Sequence, residues 1–371
     1  MRVCVIGGGL AGSLLAWRLR LAVAPLGEHL ELDLVCGREA GDATDVSLGM
    51  VRGFESDAAS CRLATDSLAE LRANRRLAAW AGLQELESVY VNAESPDHAD
   101  IRLRRLMTRL SGAARTAGPD ELAHRYGIAG LPDRSVGVVE PRAGAIVPGR
   151  LRRSVLAELA RLQVPRIPGP VDQVATAGDQ VVCRWHGRAR RYDAVVLATG
   201  RWTPHLLAAS DLPVPPYRTK VITYAWYPAT GAPRYCFVDE TTGLYGRPGP
   251  DGQLALGLPS SDWDVDPDRP TADDEGLHHR AVELARSRFP ALRLESPHRV
   301  VTSADCYTEP SGLTLRPVLD DGTLLYTFTG GSGGAAKTAL AASAVAARDL
   351  LATLSGRDTP AVHPSLMGRL T

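Results

Sequence analysis

Apolar runs and glycine alternate at the start of the chain in a pattern that predicts three elements. Val3–Ile6 is a short apolar strand, the stretch from Leu10 to Leu21 repeats apolar residues at helical spacing, and Leu30 to Val35 is apolar again, giving strand, helix, strand. A polar, helix-rich region is expected from about Ala58 to Leu131, then a helix near Arg150 to Leu162 and a hairpin within VDQVATAGDQVVCRWHG. DAVVLATG, residues 193–200, is continuously apolar and ends in glycine, as a strand buried on both faces does. From about Val214 to Val301 apolar and polar positions alternate among aromatic residues, which predicts strands, with one helix at 272–288. The last segment, GTLLYTFTGGSGGAAKTALAASAVAARDLL, returns to strand, glycine loop and helix.

This order predicts an α/β fold. Residues 1–80, 140–213 and 302–371 make a discontinuous Rossmann-like nucleotide-binding domain, and 81–139 with 214–301 make an inserted α+β substrate-binding domain on a mostly antiparallel sheet. At 371 residues, 44% hydrophobic and 23% charged with no net charge, the composition gives no reason to expect nucleic acid or a membrane as partner. The most apolar helical stretch, TALAASAVAARDLLATL, is mainly alanine and is interrupted by Arg348 and Asp349. MRVCVIGGGLAGS enters an apolar strand without a charged leader, which reads as cytoplasmic. Six cysteines without a CxxC pair suit reduced thiols, and nine histidines without ligand spacing suggest no metal site.

Three glycine motifs carry the candidate chemistry. Gly7-x-Gly9-x-x-Gly12 lies between a predicted strand and a predicted helix, where glycines permit a tight turn and let a pyrophosphate approach the helix N-terminus. The acid expected at the end of the second strand to bind a ribose is replaced by Cys36 and Gly37; the nearest acids are Asp33, Glu39 and Asp42. The glycine-ended AVVLATG and the glycine loop TFTGGSGGAAK point to an FAD enclosed along its length rather than to a nicotinamide cofactor. A helix starting just after Gly334 would turn its positive end toward the flavin's pyrimidine edge, which becomes anionic on reduction. Directly behind that loop stands Lys337, one of only two lysines in a chain that otherwise uses arginine; the other is Lys220.

GGGLAG, VVEPRAGAIVPGRLRRSVLAEL, AVVLATG, PYRTKVITYAW, LYGRPGPDGQLALG, DCYTEPSG and GGSGGAAK occur over nearly the whole chain in the order found in FAD-dependent amine and amino-acid oxidases. The chain resembles that superfamily, sometimes called the D-amino-acid oxidase (DAO) family, and within it the monomeric sarcosine oxidase group. The resemblance implies an FAD-binding domain of the glutathione-reductase type and a substrate enclosed between flavin and an antiparallel sheet. It implies oxidation of a C–N bond in a small amine or imino/amino acid by hydride transfer to flavin N5, with oxygen or another acceptor taking the electrons. It places Lys337 and Arg52 on the substrate carboxylate and Tyr245 in the cavity. Gly7, Gly9, Gly12, Thr44, Thr199, Gly200, Cys306, Gly331, Ser332, Gly333, Gly334 and Lys337 are the cofactor-binding candidates.

The departures from that group carry information too. Its oxygen-activating lysine and active-site histidine align with Ala255 and Pro259, which places fast oxidase turnover in question, leaves Lys220 as a substitute, and implies a substrate other than sarcosine in a specialised biosynthetic pathway. Its flavin-linking cysteine stands two residues before a tyrosine. Here Asp305 holds that position and Cys306 directly precedes Tyr307; one residue along a strand reverses the side chain, which disfavours a covalent link. Two alternatives follow: a dehydrogenase or oxidative tailoring enzyme slow with oxygen, and a flavin-binding protein without catalysis.

Overall fold

A computed structural model describes residues 1–23, 30–37, 42–92, 114–271 and 274–356, with Leu103, Leu106, Met107 and Arg109 between them. Val3, Cys4 and Val5 have no solvent exposure, and their strand, Arg2–Ile6, is the middle of a six-stranded sheet. It pairs in parallel with Glu31–Cys36 on one side and Ala194–Leu197 on the other. Leu325–Thr329 continues the parallel series, Thr314–Pro317 turns back antiparallel at that edge, and Arg166–Pro168 closes the opposite edge. Continuous apolar runs form these strands because helices and a small antiparallel sheet cover both faces.

The helix Leu10–Val23 crosses between the first two strands and packs against Ala335–Ser355 and Pro148–Arg161. Its neighbour Ala335–Ser355 is rich in alanine, whose small side chains let it lie close to both Leu10–Val23 and Ala58–Ala73. The hairpin expected after residue 171 forms from Gln173–Ala177 and Gln180–Trp185, and Arg188–Tyr192 adds a third antiparallel strand.

Among the described residues the larger sheet has ten strands. Its longest, Tyr217–Thr230, pairs antiparallel with both Arg299–Thr308 and Gln253–Gly257. The sequence reads as helix-rich from about residue 58 to 131, and helices do form at Ala58–Ala73, Arg75–Ala81 and Pro119–Tyr126. Between them, however, Gln84–Asn92 is a strand, joined to Val136–Ala145 and Cys236–Asp239. Its first half is polar and exposed at the sheet's end, so the apolar alternation is confined to Val89–Val91, too short to outweigh the flanking helical pattern. Most of residues 93–113 lie outside the described residues. The helix expected at 272–288 is described as Asp274–Arg288, with residues 272 and 273 outside the described set.

Arg288 at the end of that helix is almost fully buried. It binds Asp239 at 2.7 Å and donates to the carbonyls of Gly130 and Ala129 and to the Thr241 hydroxyl. Removing one partner of a buried ion pair strands the other, a loss of about 3–5 kcal/mol. Arg288→Met is therefore expected to lower stability by that order in urea unfolding, and a change below about 1 kcal/mol would contradict this reading of the pair.

Candidate active site

A cavity of about 710 Å³ runs from the first glycine turn, past the strand end at Thr199, to the C-terminal glycine loop. Its floor is built where backbone comes too close for side chains. At Gly7, where φ is +119°, a Cβ would lie 2.3 Å from the Ala198 carbonyl oxygen, and at Gly12 it would lie 2.0 Å from the Gly7 carbonyl oxygen. Gly9 is different. A Cβ there would meet only the Thr44 hydroxyl, at 3.5 Å, so this glycine leaves room on the cavity side. Thr44 Oγ1 accepts a hydrogen bond from Leu10 N at 3.1 Å and so caps the helix from outside its own segment.

The acids near the end of the second strand have other partners. Asp33 is buried, accepting from the Tyr192 hydroxyl and pairing with Arg190 Nη1, each at 2.7 Å. Asp42 caps the helix Ala43–Val46 and pairs with Arg152 at 2.6 Å on the cavity wall; burial raises its pKa against the pull of that guanidinium. Glu39 is outside the described residues. Thr199 shares a hydrogen bond with Thr203 at 2.8 Å, and Gly200 takes φ +56° facing open space.

At the far end, Gly331 abuts Ala335, Ser332 is held at φ +54°, and Gly333 and Gly334 complete a turn into Ala335–Ser355. A non-glycine residue in the left-handed region stores strain, a feature that clusters at ligand sites. Lys337 bends back over this turn, its Nζ 3.2 Å from where a Gly334 Cβ would be. That ammonium is 2.9 Å from Glu55 Oε1, and Arg52 Nη2 reaches the same oxygen, also at 2.9 Å. Arg52 and Lys337, from opposite ends of the chain, thus meet on one carboxylate, and both line the cavity.

Electrostatics follow from this crowding. Burial lowers the Lys337 pKa and the neighbouring Arg52 charge lowers it further, while Glu55 opposes both. Burial also works against the Arg52 charge, yet Glu55, Tyr90 and Glu140 outweigh it and hold its pKa above the usual value. Arg52 donates to the Phe54 carbonyl at 3.1 Å and lies 4.7 Å from the centre of the Tyr90 ring. Glu140 accepts from Gly53 N and Phe54 N at 2.8 and 2.9 Å and fixes the backbone that carries the pair; burial raises its own pKa.

Tyr245 lines the cavity and donates to the Thr223 carbonyl at 3.2 Å. Its cross-strand partner is Gly257, where a Cβ would strike the ring at 2.4 Å, so that glycine makes room for the tyrosine. Burial raises the Tyr245 pKa. Ala255 is fully buried in an apolar cluster with Tyr224 and Trp226, and Pro259 is on the cavity wall. Cys306 is buried and its thiol is pushed up to about 11 by burial, far from the thiolate that a nucleophile requires.

Sequence reasoning did not single out Glu55. Its spacing of three from Arg52 was legible, but that spacing signals contact only in a helix, and here the chain is irregular.

A model of the family described as FAD dependent oxidoreductase, DAO, matches residues 2–348. The chain belongs to that family. No curated protein matches it at the level of sequence. Among solved structures, NikD, an unusual amino acid oxidase essential for nikkomycin biosynthesis, is similar with TM-score 0.71 and 19% identity over 98% of this chain and 95% of that one. Glycine oxidase from Geobacillus kaustophilus is similar with TM-score 0.71 and 17% identity over 96% of both chains. L-proline dehydrogenase from P. horikoshii gives TM-score 0.73 and 14% identity over 96% and 94%. At these identities the likeness concerns the fold.

This oxidoreductase has a cradle that fits FAD. The glycine contacts at Gly7 and Gly12 hold backbone at the start of Leu10–Val23 against the cavity, as pyrophosphate binding needs. Among the described residues no helix is long and apolar enough to cross a membrane.

Two outcomes test the site. Gly12→Val must push apart the Gly7 turn, so the variant is expected to retain FAD at least about tenfold less tightly, by fluorescence titration, than wild type. Asp305, also on the cavity wall, has its pKa raised by burial to about 6, with Arg201 partly opposing. A carboxyl whose folded pKa exceeds its unfolded one leaves stability untouched below about pH 4 and lowers it fully above about pH 6, by about 3 kcal/mol. Asp305→Asn is therefore expected to stabilise the protein at pH 8 and not at pH 4 in chemical denaturation.

Proposed function

We propose that this oxidoreductase oxidises the C–N bond of a small amine or imino/amino acid whose carboxylate is held by Arg52 and Lys337. The observation that carries the reading is the seating of a carboxylate between these two cations, each of which lines the cavity and lies 2.9 Å from Glu55 Oε1. A guanidinium and an ammonium converging on one oxygen form a site built for a carboxylate. Glu55 and the more distant, buried Glu140 offset the two positive charges in part, and both cations still border the cavity where a substrate anion would reach them.

When bound, FAD would supply the two-electron acceptor for a hydride from the substrate. The chain does the rest. Arg52 and Lys337 fix one end of the substrate, and Tyr245 and Tyr224 wall the cavity with rings whose hydroxyls donate to the carbonyls of Thr223 and Val46. Those hydrogen bonds lock the rings, so the substrate is positioned by rigid walls. The nitrogen lone pair forms the C=N bond as the C–H bond gives up its electron pair, and water then hydrolyses the imine. In this reading 1–80, 140–213 and 302–371 serve the cofactor, and 81–139 with 214–301 serve the substrate.

A second reading concerns the electron acceptor. The apolar burial of Ala255 leaves no charge at the position where sarcosine oxidases, by resemblance, carry their oxygen-activating lysine. That favours a dehydrogenase or tailoring enzyme slow with oxygen. Lys220 on the cavity wall is the available substitute, and peroxide measured per turnover separates the two.

Anaerobic bleaching of the flavin by amino acids tests the main reading. Lys337→Met is expected to raise the substrate concentration needed for half-bleaching about 30- to 1,000-fold for amino acids, the scale for breaking a buried charged contact. Amines without a carboxylate should be affected far less. An equal effect of Lys337→Met on both ligand classes would remove the basis for the assignment.

A further inference from the structure

Arg52 owes its direction to groups behind the cavity wall. Its guanidinium borders the cavity, with Nε donating to the Phe54 carbonyl at 3.1 Å and Nη2 2.9 Å from Glu55 Oε1. The centre of the Tyr90 ring is 4.7 Å from the guanidinium carbon, and Tyr90, 4% exposed, is not among the residues that border the cavity. The ring therefore backs the cation from the protein side.

The sheet fixes where that ring stands. Tyr90, on Gln84–Asn92, is in register with Val138 on one side and Val238 on the other, and Val238 is in register with Tyr245. Residues in register leave a sheet on the same face, so Tyr90 belongs to the row that carries Val238 and Tyr245 into the cavity. The segment that begins at Arg52 wraps the ring. Phe54 meets it edge-on with centroids 5.2 Å apart, and the Ser56 hydroxyl is 3.4 Å from the phenol oxygen.

The far end of the ring is tied as well. The phenol donates to Glu240 Oε1, and Glu240 N donates to the Val91 carbonyl at 3.0 Å, which anchors the acceptor to the strand that carries Tyr90. Burial raises the Tyr90 pKa, and the Glu240 carboxylate adds to this against the opposing charge of Arg52, so the phenol keeps its proton. A phenol that donates to a carboxylate gains electron density in its ring, and the face of such a ring holds a cation more strongly. Packing alone accounts for the contact with Phe54. It does not account for a guanidinium over the face and a carboxylate at the hydroxyl of one ring.

We propose that Tyr90, tied by Glu240, is the positioning residue for Arg52 and so sets how strongly the chamber prefers a carboxylate to a neutral group. The inference rests on the reading of Arg52 given above and adds to it two residues that act through that arginine.

The test uses holoprotein at pH 8 and two ligands of one shape, pivalate and pivalamide. Neither has a hydrogen on a carbon bearing nitrogen, so binding is read apart from turnover. By calorimetry wild type is expected to bind pivalate at least about tenfold more tightly than pivalamide. Tyr90→Leu, which removes the ring, should cut that preference about 3- to 10-fold, the scale of a cation–ring contact out of water. Tyr90→Phe and Glu240→Gln keep the ring and should each cut it about two- to threefold, with no further loss in the double variant, because both remove the same hydrogen bond. A preference unchanged in Tyr90→Leu, or an equal weakening of both ligands, overturns the proposal, as do additive losses in the double variant. If Tyr90→Leu yields no holoprotein, the same outcomes in Tyr90→Phe, Glu240→Gln and their double variant decide the matter. Arg52→Met separates this inference from the one beneath it. Loss of the preference there while Tyr90→Leu keeps it ends this inference alone, and a wild type without the preference ends both.

Discussion

One carboxylate oxygen, Oε1 of Glu55, holds together the ends of this chain. Lys337 comes from the first turn of the last helix and Arg52 from just after the short strand Met50–Val51, and neither cation is otherwise well placed. A lysine near a helix N-terminus opposes the helix dipole, and a buried guanidinium must overcome desolvation. Glu55 answers both. The backbone beneath is fixed in turn by Glu140, and the helix carrying Lys337 is pinned to Ala58–Ala73 through Ala341 N and the Ser67 hydroxyl at 3.0 Å. The cavity has its shape because this buried charge cluster forbids the two segments to separate.

The same cluster explains why a lysine stands at 337 in a chain of arginines. Its Nζ must pass within 3.2 Å of the space above Gly334 to reach Glu55, and a compact ammonium on a flexible stem can do so beside an arginine already present. A second planar guanidinium would have to share the oxygen edge that Arg52 occupies.

Much of the scaffold was legible because it obeys local rules. The buried runs Val3–Ile6 and Ala194–Leu197 read as parallel strands since nothing polar interrupts them, and the glycines at 7 and 12 mark places where backbone meets backbone. Legibility ends where partners come from afar. Gln84–Asn92 is a strand only because Val136–Ala145 and Cys236–Asp239 flank it, and its own residues carry half a pattern. Asp33 looked available for a ribose; Tyr192 and Arg190, more than 150 positions away, claim it. Glu55 was hidden for the same reason, since no spacing rule links it to residue 337.

Strand alternation settles a different question on Arg299–Thr308. Asp305 and Tyr307 share a face, and Cys306 takes the other. A single-residue offset therefore turns the carboxyl and the thiol to opposite faces of the strand; both residues border the cavity, and burial pushes the thiol up to about 11. Such a thiol is a poor partner for a covalent bond to a cofactor. This favours an FAD held by its glycine cradle and enclosure, on a wall whose free charge is negative rather than sulfhydryl.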